Sequence, residues 1–370
     1  MRSRLLSIPL AVACLLTLAP TASAAVSWGV HGRGFGHGVG MSAYGAYGYA
    51  LHGKSYRFIL GHYYTGTTVE PIAKTRIVRV LLGTSSGDVE FSGATSACRT
   101  KLDPARSYEA HRIGNAVRLR SSGGKLVAKC GAKLRAAGAG KIAIAGYGTF
   151  RGALEASSSG GSLYVVNALA LEQYAKGVMP NEVPPSWPTE QLKAQAVAVR
   201  SIALTSDNGG SVFDVYPDTR SQVYEGLESE YARTNAAVEA TKGQVLTYKG
   251  AVATAFYSAC SGGHTESVEN VFGTAIPYLV GVPDPYDYYC PLHKWTLEFS
   301  GPEISSRLGG YLQGKLKRVV ITKTGASPRI ISAKLIGTGG VSTVTGSQLS
   351  VALGGHDTWM KFEKVVSGGR

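Results

Sequence analysis

Four prolines fall between residues 180 and 188, and they bracket a single acid, Glu182. Proline fixes φ, removes a main-chain donor and biases its predecessor away from helix. Pro180, Pro184, Pro185 and Pro188 therefore predict a stiff, non-helical elbow around Glu182. A helix is expected directly after it. Pro188 suits a first turn, Glu190 lies near the positive end of the helix dipole, and Leu192, Ala196, Val199 and Ala203 recur at helical spacing. Lys193 and Arg200 are seven residues apart and so share a face, with Gln195 close by. A carboxylate on a rigid elbow, facing a helix with two cations, is one way to build a positioned acid. The same residues also read as a proline-rich turn carrying a surface glutamate.

The chain, 370 residues long and 44% hydrophobic, has room for two domains or for one large domain with insertions. Its 48 glycines imply many turns and short strands. Residues 1–25 read as a secretory signal: Arg2 and Arg4, an apolar run from Leu5 to Ala19, then Ala22-Ser23-Ala24. Cys14 lies inside the run, so a lipid-anchored reading stands beside the cleaved one. No other stretch approaches the length of a membrane span, and an exported protein without stable membrane insertion is expected. Net charge is +14, which reads as ordinary solubility or as attraction to a polyanionic partner. For an exported chain that means cell-wall polymer or membrane surface before nucleic acid, and no nucleic-acid motif is present. Outside the signal, four cysteines remain, an even number that implies disulfides in an oxidising compartment. The sequence-local pairing, Cys98–Cys130 and Cys260–Cys290, is the favoured one of three, each bridge worth about 2–4 kcal/mol. Cys260, His264, Cys290 and His293 also have spacings compatible with zinc, the competing reading.

In chain order, residues 26–74 hold glycines at 32, 34, 36, 38 and 40 and then two short helices, Met41 to Leu51 and Tyr56 to Tyr64. The glycine run lets backbone approach a ligand closely, and it lacks the GK[ST] of a phosphate loop. His37 reads as a proton shuttle, a ligand or a substrate donor, or as a structural histidine. Ser42 falls at the helix start and Tyr44 just inside it. Residues 75–165 are short β-rich runs, read as a mostly antiparallel β-subdomain. Residues 166–300 form the core around Glu182, with a polar cluster at Asp218, Gln222 and Tyr224, a helix from Glu228 to Lys242 and a polar loop at His264, Thr265 and Glu266. Residues 301–370 are again β-rich, with a helix near Gly346 to Leu353. The fold class expected is α+β: a mixed core with a mostly antiparallel β-rich insertion.

Long segments of this chain resemble the SpoIID/LytB family, the stage II sporulation protein D and amidase-enhancer group that acts on bacterial peptidoglycan. They are LALEQYAKGVMPNEVPPSWPTEQLKAQAVAVRSIAL, DTRSQVYEG, FYSACSGGHTESVENVFG with PYLVGVPDPYD, and GRGFGHGVGMSAYGAYGYALHGKSYRFILGHYYTGT. The resemblance implies an extracytoplasmic α/β protein with a glycan cleft and, in catalytic members, a lytic transglycosylase whose acid matches Glu182. Lys193, Gln195 and Arg200 match the family's active-site neighbours. The order differs: the GHGVGMS segment comes first here rather than after a strand like TWMKFEKV. That reads as a circular permutation, which requires the strand near Phe362 to lie beside the segment near Trp28.

A lytic transglycosylase needs one acid, which protonates the glycosidic oxygen and then takes a proton from the 6-hydroxyl that closes a 1,6-anhydro ring. Two-carboxylate glycosidases need a partner acid. Burial near the prolines and Trp187 would raise the Glu182 pKa, and Lys193 and Arg200 are better placed as binders of substrate carboxylates or carbonyls. His37, Ser42, Tyr44, Gln195 and Trp187 complete the expected substrate contacts, with no cofactor needed. The alternatives are a non-catalytic wall-binding module that stimulates a separate amidase, and a zinc amidase using His37, His264 and His293.

Overall fold

The computed structural model describes residues 25–72 and 76–367. The expected signal segment, Cys14 included, lies outside the described residues. The α+β expectation holds. Among the described residues no helix is long and apolar enough to cross a membrane.

The helical core is built around one buried rod. Helices α1 (Ala43–Leu51), α2 (Tyr56–Tyr63), α3 (Leu171–Glu182), α4 (Thr189–Thr205) and α5 (Ala232–Ala240) carry the groove described below. α4 is the rod: Leu192 and every residue from Ala194 to Ala203 are buried. A helix buried around most of its circumference must be enclosed by neighbours, and the buried residues of α4 include the polar Gln191, Gln195, Arg200 and Ser201. Its alanines let α1, α2, α3, α5 and the strand Gln244–Tyr248 all pack closely against it. α5 is shorter than the predicted Glu228–Lys242 span, because residues 226–229 form a turn and 230–231 are irregular before it.

The β-subdomain is a ten-stranded antiparallel sheet. Its strands run in the order Leu126–Gly131, Ala116–Ser121, Ser107–Ile113, Val89–Ser92, Lys133–Ile144, Gly148–Ser159, Ser162–Ala170 and Ile77–Ser85, with a hairpin at 96–101 on the fifth. The seventh strand feeds directly into α3, so the sheet sets where the acid-bearing helix begins.

The N-terminal strand Ala25–Gly32 lies between Trp295–Ser300 and Met360–Ser367. Ala25 pairs with Ser367 and Trp28 with Lys364. The two ends of the described chain thus share a sheet, the closeness that the rearranged order requires. Trp28 and Val30 enter a third core with Ile304, Leu335 and Leu349, which unites the N-terminal strand with the C-terminal sheet Leu316–Thr324, Ile330–Gly337 and Val341–Thr345. Both sequence-local disulfides are formed, Cys98–Cys130 and Cys260–Cys290.

Candidate active site

Glu182 is not on a non-helical elbow. It is the last residue of α3, with Pro180 inside the final turn. Pro180 lies two residues before the helix end and cannot donate to the Lys176 carbonyl, yet Val183 N–H still closes onto the Met179 carbonyl at 3.1 Å. The stiffening starts one residue later: Val183 is extended (φ −143°, ψ 143°), as a residue before proline should be. The effect is a carboxylate fixed at a helix C-terminus by a rigid Pro184-Pro185 exit.

A groove of about 720 Å³ opens over Glu182. One wall is the glycine segment, Phe35 to His37; another is the strand region 254–259; a third is the C-terminal end of α4 with residues 205–208 and 219–221. Glu182 accepts the Val223 N–H at 2.7 Å and the hydroxyl proton of Tyr257. Tyr257 is itself held. Gln222 Nε2 donates to its Oη at 2.9 Å, and Tyr174 Oη donates to Gln222 Oε1 at 3.1 Å. The chain Tyr174, Gln222, Tyr257, Glu182 has one polarity, every proton pointing toward the acid, and such chains strengthen cooperatively. Burial raises the Glu182 pKa above the usual glutamate range, against the Val223 and Tyr257 hydrogen bonds that favour its charge.

His37 lines the groove opposite, edge-on to Phe272 and Phe256 at 5.4 and 6.2 Å. Burial lowers its pKa to about 4, helped by the Arg329 charge and opposed by a hydrogen bond to the Tyr257 main chain. Its Nδ1 accepts the Val39 N–H at 3.0 Å. The ring is therefore a neutral imidazole at physiological pH, with both nitrogens engaged.

The remaining sequence candidates lie elsewhere. Arg200 is fully buried and binds Glu172, with Nη2 to Oε2 at 2.6 Å, and also donates to the Val238 and Ala196 carbonyls. Instead of facing substrate, it knits α3, α4 and α5 together. Lys193 pairs with Glu190 at 2.7 Å on the outside of α4. Gln195 is buried in the helix core, and its amide has no partner among the described residues. Ser42 is buried too: it caps α1 by accepting Gly45 N–H and donates to Asp287 Oδ1 at 2.7 Å. Tyr44 and Trp187 pack on one another at 4.8 Å, in an aromatic cluster with Tyr47 that is separate from the groove lining. The spacing rule shows which residues share a helix face; it does not show which neighbour covers that face.

The zinc reading loses its thiolates, because Cys260 and Cys290 are bonded to each other. His293 Nδ1 is held by Asp287 Oδ2 at 2.9 Å and His264 Nδ1 by the Thr265 carbonyl at 2.7 Å.

Three groups at the groove escaped the sequence reading. Tyr257 lies in a strand that reads as plain β. Arg220, in DTRSQ, is the cation that lines the groove; it pairs with Asp218 at 2.6 Å over the Tyr216 ring. Phe35, Phe256 and Phe272 supply the apolar faces. Gln222 was visible as part of a polar cluster, without its partner.

Comparison with known proteins matches residues 159–248 to the SpoIID family model, described as stage II sporulation protein. The stretch includes Glu182, α4 and Gln222. An uncharacterized protein of Brachyspira hyodysenteriae is 42% identical over 153 residues, covering 40% of this chain and 41% of that protein. The amidase enhancer of Bacillus subtilis is 44% identical over 133 residues, 36% of this chain and 18% of the enhancer. The stage II sporulation protein D of the same organism is 30% identical over 206 residues, 51% of this chain and 59% of that protein. The chain thus spans less than two thirds of the length of each. Residues 159–248 thus match the SpoIID family, and the chain is similar to the amidase enhancer and to stage II sporulation proteins D over 36–51% of its length.

Proposed function

We propose that this protein acts on the bacterial cell wall outside the cytoplasm, as a lytic transglycosylase that cleaves peptidoglycan glycan strands with Glu182 as acid and then base. The observation that carries this reading is the state of Glu182: partly buried, raised in pKa, and held by a directed hydrogen-bond chain at the floor of a groove with aromatic walls. A protonated Glu182 gives its proton to the glycosidic oxygen as the bond to the anomeric carbon breaks. The carboxylate left behind is stabilised by Val223 N–H and Tyr257 O–H. It then takes the proton of the 6-hydroxyl that attacks the anomeric carbon, and the acid is restored. Asp207 is the other carboxylate of the groove lining, and it is exposed at the rim. A two-carboxylate hydrolase would need it.

Mass spectrometry of wall digests made by the purified protein tests the proposal. The expected product is an anhydro end, one water lighter than a hydrolysed end and free of oxygen-18 when the digest is run in labelled water. Labelled reducing ends that disappear with Asp207→Asn would establish hydrolysis instead. The second reading is a groove that binds glycan without cutting and stimulates an amidase. The match to the amidase enhancer supports it, and intact wall after digestion by well-folded protein would select it.

Tyr257→Phe gives a signed check. It removes a donor to the ionised Glu182 and so raises the Glu182 pKa further. If the protonated acid is the active form, the alkaline limb of the kcat/KM profile should move to higher pH. A limb that stays in place, or moves down, would detach Glu182 from that profile.

A further inference from the structure

The positive charge of this chain is not spread evenly. Residues 171–370 hold 18 Lys and Arg against 18 Asp and Glu, whereas residues 76–170 hold 14 against five, a net +9 of the chain's +14. The β-subdomain, not the Glu182 core, carries the excess.

Part of that charge gathers at one edge of the large sheet. Cys98 and Arg99 form the turn between the short strands Ser96–Ala97 and Thr100–Lys101. Both have left-handed backbone, φ 49° and 65°, where glycine or asparagine is the usual occupant. The Cys98–Cys130 bridge staples this turn to the strand Leu126–Gly131. Arg99 and Lys129, with Lys133 and Arg135, then line a single recess of about 560 Å³. Glu155 is the acid within reach, and it is shared by Lys133 at 3.0 Å, Arg79 at 3.1 Å and Arg135 at 3.4 Å. Arg99 and Lys129 are exposed, and no ion pair joins either to an acid among the described residues. Lys129 also lies directly across the strand ladder from Arg118. Like charges facing each other on an antiparallel pair are destabilising, so the fold tolerates a cost at this edge that a bound anion would relieve.

We propose that this recess is a second binding site, for an anionic polysaccharide gripped through carboxylate or phosphate groups. No aromatic ring lines it, whereas proteins that hold single-stranded nucleic acid stack its bases on aromatic faces. The bridge at its rim fits an oxidising compartment, where wall polymers lie. The site makes no use of the reaction proposed for Glu182, and a binding readout keeps the two separable.

The test is a fluorescence-anisotropy titration of labelled polygalacturonate and labelled polyphosphate at about 50 and 200 mM salt. At least one should bind, and more weakly at the higher salt. Arg99→Gln/Lys129→Gln should weaken binding roughly tenfold and flatten the salt slope by about two. Lys315→Gln/Lys317→Gln, removing two exposed cations by the C-terminal sheet, should change it less than about twofold. Binding of polyphosphate alone assigns the site to phosphate, and of polygalacturonate alone to carboxylate. The proposal is overturned if neither binds, if the control variant loses as much, if neutral dextran binds equally, or if single-stranded DNA binds more tightly than both.

Discussion

Glu182→Gln should lower glycan cleavage by about 10²–10⁴-fold, the range of a general acid's contribution, while making the fold relatively more stable as pH rises. The second half follows from linkage. Burial holds the Glu182 pKa above its unfolded value of about 4.5, so the folded chain binds this proton more tightly than the unfolded one. Folding stability therefore falls as pH rises from about 4.5 through the folded value, because a partly desolvated carboxylate must ionise. Glutamine has no such loss. It keeps Oε1 for Val223 N–H and gives up the charged acceptor of Tyr257, which adds an offset independent of this titration. The melting-temperature difference, variant minus wild type, should increase through that window and level off above it. A surface glutamate would leave it flat. A flat or falling difference, or wild-type product yields from the variant, would remove Glu182 from the reaction.

How much of this site could be read beforehand depends on the range of the interaction. Helix α4 was legible because its start and its apolar positions are local: Pro188, Glu190, Leu192 and Ala196 suffice. Both cysteine pairings were legible because each closes a loop of about 30 residues within one subdomain, the separations being 32 and 30. The role of Arg200 was not. Lys193 and Arg200 share a helical face by arithmetic, yet Glu172, 28 residues away, claims one of them and Glu190, three residues away, the other. The partner of Glu182 was hidden for the same reason: Tyr257 lies 75 positions further along, and long-range pairing, Tyr257-Ser258 with Met41-Ser42 and Phe35 with Cys260, sets it between the glycine wall and the acid. Pro180 misled in the opposite direction. Its local bias was real, but a helix with one turn left to make could absorb it.

Arg329→Met should have the largest effect on stability, about 3–5 kcal/mol, the usual cost of leaving a buried charge unpaired. Arg329 is 2% exposed and Asp357 3%. The guanidinium donates to both carboxylate oxygens, Nε to Oδ1 at 2.9 Å and Nη2 to Oδ2 at 2.7 Å. It also donates to the His264 and Ser261 carbonyls at 2.8 Å each, so one side chain ties the C-terminal sheet to the loop that begins at Cys260. Gly38, at φ 71°, backs onto that guanidinium so closely that a Cβ there would meet it, and Gly38 directly follows His37, the last residue of the glycine wall to line the groove. The Asp357 pKa is already raised by burial despite the opposing Arg329 charge. Without Arg329 it should rise further and the carboxyl should take up a proton, at a cost that grows as pH rises above the unfolded aspartate range. Denaturant unfolding should therefore find the deficit of Arg329→Met smaller at acid pH than at neutral pH. Arg329→Met/Asp357→Asn should recover part of it, because replacing both members of a buried pair removes the stranded charge, although the two carbonyls still lack their donor. The groove should report the same event. With the wall at Gly38 no longer backed, glycan cleavage should fall at temperatures where the variant is still folded, and the double variant should not restore it in proportion to its stability. Full activity in a destabilised Arg329→Met would show that the glycine wall holds its shape without this ion pair.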